Sequence, residues 1–276
     1  MRTISAALAT LLCSIFVPAS AAEVLFPTPL HLTRQVHDPI SDSTATLDEY
    51  AYGNRLISVR GDRTAIADYE KGELTEIDRT AGTYSVTRFD VVAKAARPSG
   101  PTAAASPLTS DSQATKPPLK ALGAKATKSG HQGDFYSAEV GTQNAKQRVD
   151  VGVDHSIMVS RPALEVLLGA AYPGTRLPEH EVILAAAAPG RALATASTDS
   201  STRAASYALP LEQLVTYDFD GKQVEFRSTV VRVGNEPAPM DLIAIPAGAR
   251  RVESRTVLIS REIESIEHPV VPSRSH

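Results

Sequence analysis

The sequence predicts an α+β protein that is mainly antiparallel β, in which about two helices cover a curved antiparallel sheet. Short runs rich in Val, Ile, Leu, Thr and Tyr fill residues 31–77 and are separated by glycine-containing turn pairs. No crossover of helical length separates these runs, which argues against a parallel sheet. Residues 209–234 form the clearest hairpin, because Asp220-Gly221 supplies the positive φ angles of a type I′ turn.

Five strands are predicted in the N-terminal part. Glycines at positions 53, 61, 72 and 82 stand 8, 11 and 10 residues apart, a spacing typical of an antiparallel meander. The predicted strands are Thr46–Tyr52, Arg55–Arg60, Thr64–Tyr69, Glu73–Asp78 and Thr83–Val86.

Two helices are predicted. Thr87 and Asp90 have nearly the arrangement of a capping box, and the apolar residues that follow have helical spacing, which predicts a helix over about Arg88–Ala96. Ser160 can cap a second helix, which Pro173-Gly174 would end. The apolar stripe of the second helix consists of Leu164, Leu167, Leu168 and Ala171.

The C-terminal half is predicted to return to strands. Residues 148–154 alternate between polar and apolar side chains, which indicates one buried and one solvated face. A short element at Met240–Ile245 follows the hairpin. The predicted strands are Phe135–Thr142, Arg148–Asp154, Glu181–Ala187 and Val252–Ile259.

Composition predicts one domain, preceded by a signal peptide and interrupted by flexible segments. Residues 1–21 have the charged, apolar and small-residue order of a cleavable signal peptide, which predicts a periplasmic or secreted protein without a membrane span after cleavage. Residues 23–268 are predicted to form the domain. The Ala/Pro/Ser/Lys-rich segment at about 97–131 is predicted to be a flexible insertion, Pro189–Ala204 a polar loop, and 269–276 a disordered tail.

Net charge and cysteine content narrow the functional class. The formal net charge is −3, and removing Arg2 with the leader leaves 27 basic and 31 acidic residues, which gives −4. This mild acidity argues against nucleic acid as the main partner. The single cysteine, Cys13, lies within the leader, so the mature protein is predicted to contain no disulfide.

No local pattern predicts a catalytic residue, a metal site or a cofactor. Asp150 and Asp154 are about 13 Å apart along one strand at ~3.3 Å per residue, which is too far for the paired carboxylates of a glycosidase. Asp218-x-Asp220-Gly221 fails as a calcium loop because Arg227 takes the position of the required glutamate. The histidines lack ligand spacing, although distant histidines could assemble a zinc site in the folded protein.

Two apolar stripes could line a cavity for a hydrophobic ligand. The helix contributes Leu164, Leu167 and Leu168, and the alternating strand contributes Val149, Val151 and Val153. From the residues alone, ordinary core packing is the favoured interpretation of both stripes, because every amphipathic element has such a face.

Two segments resemble a family of exported bacterial proteins of unknown function. Residues 52–90 contain its G-D-R-like turn, the phrase I-D-x-x-x-x-x-Y and a following helix, and residues 239–252, P-M-D-L-I-A-I-P-A-G-A-R-R-V, resemble its closing segment. Ile243 and Ala249 replace aromatic residues of that segment. The family resembles the LolA, LppX and LprG lipoprotein carriers, and the resemblance covers most of residues 31–95 and 134–260.

That resemblance implies a half-barrel with a lipid-accepting cavity between sheet and helices. The sequence therefore predicts a non-catalytic binder or carrier of a lipid, an acyl chain or a lipoprotein. The alternative is an envelope structural or interaction module with a filled core, in which the 97–131 insertion binds an envelope protein.

Overall fold

A single large sheet dominates the fold. The computed structural model describes residues 24–39, 41–95, 118–141, 146–169, 172–173, 177–190, 206–219 and 222–256. The strands are β1 Phe26–Asp38, β2 Ser43–Gly53, β3 Arg55–Arg60, β4 Arg63–Asp68, β5 Glu73–Asp78, β6 Thr83–Arg88, β7 Lys120–Ala126, β8 Gln132–Gly141, β9 Lys146–Ser160, β10 Ser206–Phe219, β11 Lys222–Gly234 and β12 Arg250–Arg251. The helices are α1 Phe89–Ala95, α2 Arg161–Leu168, α3 Pro178–Ala187 and α4 Met240–Ile243.

The sheet is open and almost wholly antiparallel. Its 12 strands lie in the order β12-β6-β5-β4-β3-β2-β1-β11-β10-β9-β8-β7. The two-residue strand β12 pairs in parallel with β6, and all other neighbouring strands are antiparallel. This arrangement confirms the prediction of a sheet-dominated α+β protein.

Three helices cover one side of the sheet, which we call the helix face. Val92 of α1 and Val166 of α2 pack with Leu32, Leu56 and Leu74 in the largest buried cluster. A second cluster on this face joins α3 and α2 to β8 and β9, and its larger members are Tyr136, Val151, Val153, Leu164 and Ile183. The core of the domain therefore lies between the helix face and these helices.

Residues 235–244 pack on part of the other side of the sheet, which we call the opposite face. Leu242 and Ile243 of α4 pack against a cluster that contains Tyr50 and Ile57. His31 stacks on Tyr50 with 4.1 Å between ring centroids. The His31 ring nitrogens lie 3.3 Å from Asp48 and 3.2 Å from Glu236. These contacts hold the C-terminal segment against the sheet.

Turn chemistry explains why the N-terminal strands form where they do. Gly53, Gly61, Gly72 and Gly82 all have φ between 57° and 67°, a left-handed conformation that glycine adopts without steric cost. β3 and β5 begin and end at the predicted residues. The predicted hairpin also forms, because Phe219 pairs with Lys222 and the two strands continue in antiparallel register. Asp220 and Gly221 lie outside the described residues.

The second predicted helix forms, but it is shorter than expected. The Ser160 side chain accepts a hydrogen bond from the Ala163 amide at 3.3 Å, as predicted for its cap. The helix ends at Leu168 rather than at Pro173, and the amide of its C-cap residue, Gly169, donates to the carbonyls of Glu165 and Val166. Ala171 lies outside the described residues.

Two predicted strands differ in the structure. The predicted strand Glu181–Ala187 is part of helix α3, because Pro178 favours the first turn of a helix and the alanine run favours its interior. The predicted strand Val252–Ile259 is wrong where it is described, since Arg255 and Thr256 are helical and only Arg250–Arg251 pair with β6. Residues 257–259 lie outside the described part of the chain.

The predicted insertion also contains a strand. Residues 120–126 form β7, which pairs with β8 at the edge of the sheet and is exposed along its whole length. Its sequence, K-A-L-G-A-K-A, has little intrinsic preference for strands, so pairing with β8 determines its conformation. Residues 97–117 lie outside the described residues, as do the predicted leader, 1–21, and tail, 269–276.

Candidate functional site

A cavity of about 610 Å³ lies on the helix face over β1–β6. The C-terminal end of α2 and the segment 252–256 close it from above. Polar and charged residues form much of its wall, and the aliphatic residues that line it are Val36, Ala45, Leu47, Ala65, Ile77, Leu167, Leu168 and Val252. The cavity lies beside the filled core that α1 and α2 cover. It occupies a part of the helix face that these helices do not cover.

The strand register explains why space remains at this position. Cross-strand pairing aligns Glu49, Ser58, Ala65, Glu76 and Ser85 in one row from β2 to β6. The three uncharged members of the row are small. The next row contains Ala51, Leu56, Ala67 and Leu74, and it is fully packed in the core. The row of small and polar residues therefore forms a cavity floor rather than a packed layer.

A buried ion pair forms one end of this floor. The Arg34 Nε donates to Glu49 Oε2 at 2.5 Å, and the two side chains are only 6% and 1% exposed. Ser58 is paired with Glu49 in the register and is 6% exposed. Its Oγ atom is buried and has no hydrogen-bond partner among the described residues. The floor therefore combines a neutralised charge pair with an unsatisfied hydroxyl.

Glu76, at the other end of the floor, anchors the closing segment. Its carboxylate accepts hydrogen bonds from Ser85 at 3.1 Å, from Thr256 at 2.8 Å and from Ser254. Ser254 is itself buried. Tyr172 lies above this carboxylate, and burial, together with the nearby charge of Glu76, raises the pKa of its phenol. These contacts fix residues 254–256 as a wall of the cavity.

The mouth of the cavity carries charged side chains. Arg60, Arg63 and Asp78 follow the floor row toward solvent, and the Arg63 Nε lies 3.1 Å from Asp78 Oδ2. A hydrogen bond from the Ala81 amide and the Arg63 guanidinium lower the pKa of Asp78. Arg60, Arg255 and Glu253 also line the cavity, so its wall carries charges of both signs.

The structure separates the six predicted cavity residues into two groups. Leu167 and Leu168 line the cavity. Val149, Val151, Val153 and Leu164 are fully buried and do not line it. Val151, Val153 and Leu164 pack against α3, and Val149 packs against Val182 of the same helix. Because residues 181–187 were predicted to be a strand, the sequence did not indicate that a helix fills this part of the face.

Sequence reasoning missed the polar residues of the floor. Arg34 stands in the alternating series Leu30, Leu32, Arg34, Val36, and Glu49 stands between Leu47 and Ala51 in the same way. A charged residue on the apolar face of a strand is the signal that would have identified both. Only the register between β1 and β2 shows that these two residues share one floor.

Elsewhere, one carboxylate predicted to be solvated is buried. Asp154 is 3% exposed, and its Oδ2 lies 2.8 Å from the Nδ1 of His131, which stands at the base of the turn between β7 and β8. The Ser156 amide donates to the other oxygen at 2.7 Å. Among the residues that the structure describes, no group of three His, Cys, Asp or Glu side chains is placed to hold a metal ion. No helix in the same part of the chain is long and apolar enough to cross a membrane.

Comparisons with known proteins do not assign a family. No family model and no curated protein matches the chain. A solved structure described as "Structure of PNGF-II in C2 space group" is similar to 85% of this chain with a TM-score of 0.35 and 8% sequence identity. This chain covers 33% of the length of that structure.

Proposed function

We propose that this protein is an exported, non-catalytic binder or carrier of a hydrophobic ligand, such as a lipid or an acyl chain. The ligand would occupy the cavity between the sheet, α2 and the segment 252–256. The observation that carries the proposal is the cavity itself, which has a volume of about 610 Å³ and a wall that combines aliphatic residues with polar and charged ones. Within this proposal the fold is a variant of the LolA-like half-barrel, with the ligand between sheet and helices.

The size and lining of the cavity support a small-molecule ligand. Pockets that bind small molecules have volumes of roughly 300–1,000 Å³ and combine apolar walls with a few polar groups. Each buried Å² of apolar surface contributes about 25 cal/mol, so an acyl chain can be held without any covalent step. The charged mouth at Arg60 and Arg63 would contact the exposed end of the ligand.

Export rests on the predicted signal peptide, residues 1–21. A carrier in the periplasm would take up an apolar molecule from one surface and protect it from water during transfer. An open mouth with charged residues and aliphatic residues in the interior suits that task, because the ligand's apolar part is shielded while its end remains accessible.

A substitution that fills the cavity tests the proposal, and a substitution on the opposite face serves as the matched control. Ala45 lines the cavity from β2, whereas the next residue in the strand, Thr46, is exposed and points to the opposite face. We expect Ala45→Trp to weaken the binding of a dansyl-labelled fatty acid at least tenfold, and Thr46→Trp to leave it unchanged. Fluorescence titration of detergent-free protein measures both, and thermal unfolding verifies that both variants fold.

Native mass spectrometry of protein purified from its own envelope complements this titration. A near-stoichiometric acyl species that is lost in Ala45→Trp would support the carrier function. Failure of the wild-type protein to bind the labelled fatty acid, together with a ligand-free mass, would overturn it. The envelope interaction module would then be the better hypothesis.

A further inference from the structure

Two arginines lie side by side at the mouth of the cavity. Arg60 ends β3, Arg63 begins β4, and the register pairs them directly across the turn at Gly61-Asp62. Both arginines are exposed, and both line the cavity. Like charges directly opposite each other in a sheet are unfavourable, so the stability of this hairpin does not account for the pair.

One carboxylate compensates part of this positive charge. Asp78 is the partner of Arg63 in the next strand, and the Arg63 Nε lies 3.1 Å from its Oδ2. A hydrogen bond from the Ala81 amide, together with the guanidinium groups of Arg63 and Arg255, lowers the pKa of Asp78. A third arginine therefore lies near the same carboxylate. Glu253, in the closing segment, is the other acidic residue that lines this side of the wall.

The carboxylates deeper in the cavity are already engaged by the protein. Glu49 is bound to Arg34, and both side chains are almost fully buried. Glu76 accepts hydrogen bonds from the segment 254–256. An anionic ligand group at the floor would meet these two carboxylates, whereas at the mouth it meets exposed arginines. This distribution of charge orients an anionic amphiphile with its apolar chain inward.

We propose that the ligand carries an anionic end group, which the guanidinium groups of Arg60 and Arg63 hold at the mouth. This inference rests on the proposed function and adds the chemical class of the ligand's polar end. A guanidinium presents several N–H donors in one plane and makes charge-assisted hydrogen bonds to anionic oxygens. An anion between the two arginines also reduces their mutual repulsion, while Leu47 and Leu168 contact the apolar chain.

Three single-chain ligands with equal numbers of non-hydrogen atoms test the sign of the end group. At neutral pH decanoate is anionic, decanamide is its uncharged isostere, and undecylammonium is cationic. Each competes with N-phenylnaphthylamine, an uncharged fluorescent probe of apolar cavities. We expect decanoate to bind about tenfold more tightly than decanamide at low ionic strength, and undecylammonium to bind no more tightly than decanamide.

A variant and a matched control locate the effect at the mouth. In Arg60→Gln we expect the affinity for decanoate to fall about fivefold, while the affinity for decanamide stays within about twofold of wild type. The unchanged decanamide affinity shows at the same time that the cavity keeps its shape. Arg148→Gln removes the same charge from an exposed arginine of β9 that does not line the cavity, and it should leave all three affinities unchanged.

Several outcomes would overturn the inference. Equal binding of decanoate and decanamide to wild-type protein does so, and so does tighter binding of undecylammonium, which would assign the mouth to Asp78 and Glu253. An equal loss of decanoate affinity in Arg60→Gln and Arg148→Gln would attribute the effect to net charge rather than to the mouth, and it also overturns the inference.

These outcomes differ from a failure of the proposed function. If decanamide and the labelled fatty acid bind but the sign of the end group makes no difference, the protein remains a binder of hydrophobic molecules and only the class of the polar end is wrong. If neither of them binds wild-type protein, the proposed function itself fails.

Discussion

Arg34 and Glu49 form an ion pair with 2.5 Å between Nε and Oε2, and both side chains are withdrawn almost completely from solvent. The pair lies at the floor of a cavity and not on the surface, where salt bridges contribute little. Each charge is stabilised by the other, because burial removes both from contact with water. The pair therefore fixes the polarity of the cavity floor at the cost of desolvating two ions.

Removing one member of this pair should destabilise the protein strongly. Glu49→Gln leaves the Arg34 guanidinium buried without its counter-ion, and we expect a loss of about 3–5 kcal/mol in the free energy of unfolding. The double variant Arg34→Met/Glu49→Leu removes both charges and should recover most of that loss. Urea unfolding followed by circular dichroism measures both values. A double variant less stable than Glu49→Gln would contradict this account of the pair.

Gly152 is required because the ring of Phe135 occupies the position of a side chain. The two residues are paired across β8 and β9, and a Cβ atom added at Gly152 would lie 2.5 Å from a ring carbon of Phe135. We expect Gly152→Ala to lower the free energy of unfolding by about 1–3 kcal/mol through overpacking.

A double-mutant cycle separates this contact from an effect on strand propensity. In a Phe135→Ala background the ring is absent, so adding Gly152→Ala should cost much less than it does in wild type. Urea unfolding of the four proteins gives the coupling energy. An equal cost in both backgrounds would show that the ring contact is not the reason for the glycine.

Glu76 should control the mobility of the segment that closes the cavity. Its carboxylate accepts hydroxyl hydrogen bonds from Thr256 and Ser254, and the amide in Glu76→Gln lacks the charge that strengthens them. The Val252 amide donates to the Tyr84 carbonyl. We expect its hydrogen exchange to become about tenfold faster, which corresponds to a loss of ~1.4 kcal/mol in the free energy of local opening. Glu73→Gln, on the same strand but facing the other side, is the control.

Equal effects of Glu73→Gln and Glu76→Gln on exchange at Val252 would contradict this prediction. If Glu73→Gln accelerates exchange at Val252 as much as Glu76→Gln does, the closing segment responds to a general loosening of β5. In that case the Glu76 contacts would not be what holds residues 254–256 over the cavity.

Local sequence patterns predicted the parts of the fold that local chemistry determines. Turn glycines fixed both ends of β3 and β5, and Ser160 capped α2 as expected. The failures arose where tertiary contacts override local preference. β7 is a strand only because β8 pairs with it, and residues 182–187 are an apolar run that strand and helix patterns describe equally well.

The site was less predictable than the fold for a related reason. Leu167 and Leu168 were identified because a helix stripe is visible in the sequence. The floor row from Glu49 to Ser85 draws one residue from each of five strands, and its members become neighbours only through cross-strand register. No spacing rule within one strand contains that information, so Val149, Val151 and Val153 were predicted to form the sheet side of the cavity.

Tyr69 should make the protein sensitive to alkaline pH. Its ring packs edge-to-face on Phe89 with 5.1 Å between centroids, and burial raises the pKa of its phenol from 10.0 to about 12. Because the folded state holds this proton more tightly than the unfolded state, the contribution to stability is complete below pH 10. It is lost as the pH rises from 10 to 12, by up to about 2.7 kcal/mol at 1.36 kcal/mol per pH unit.

Tyr69→Phe keeps the ring and removes the ionisable group, so the two proteins should differ only above pH 10. We expect the wild-type free energy of unfolding to fall more steeply than that of the variant between pH 10 and pH 12, the window set by burial of Tyr69. Other tyrosines, such as Tyr172 and Tyr217, also have pKa values raised by burial, but they contribute equally to both proteins. Urea unfolding at a series of pH values gives the two curves, and parallel curves would show that Tyr69 ionises without cost to the fold.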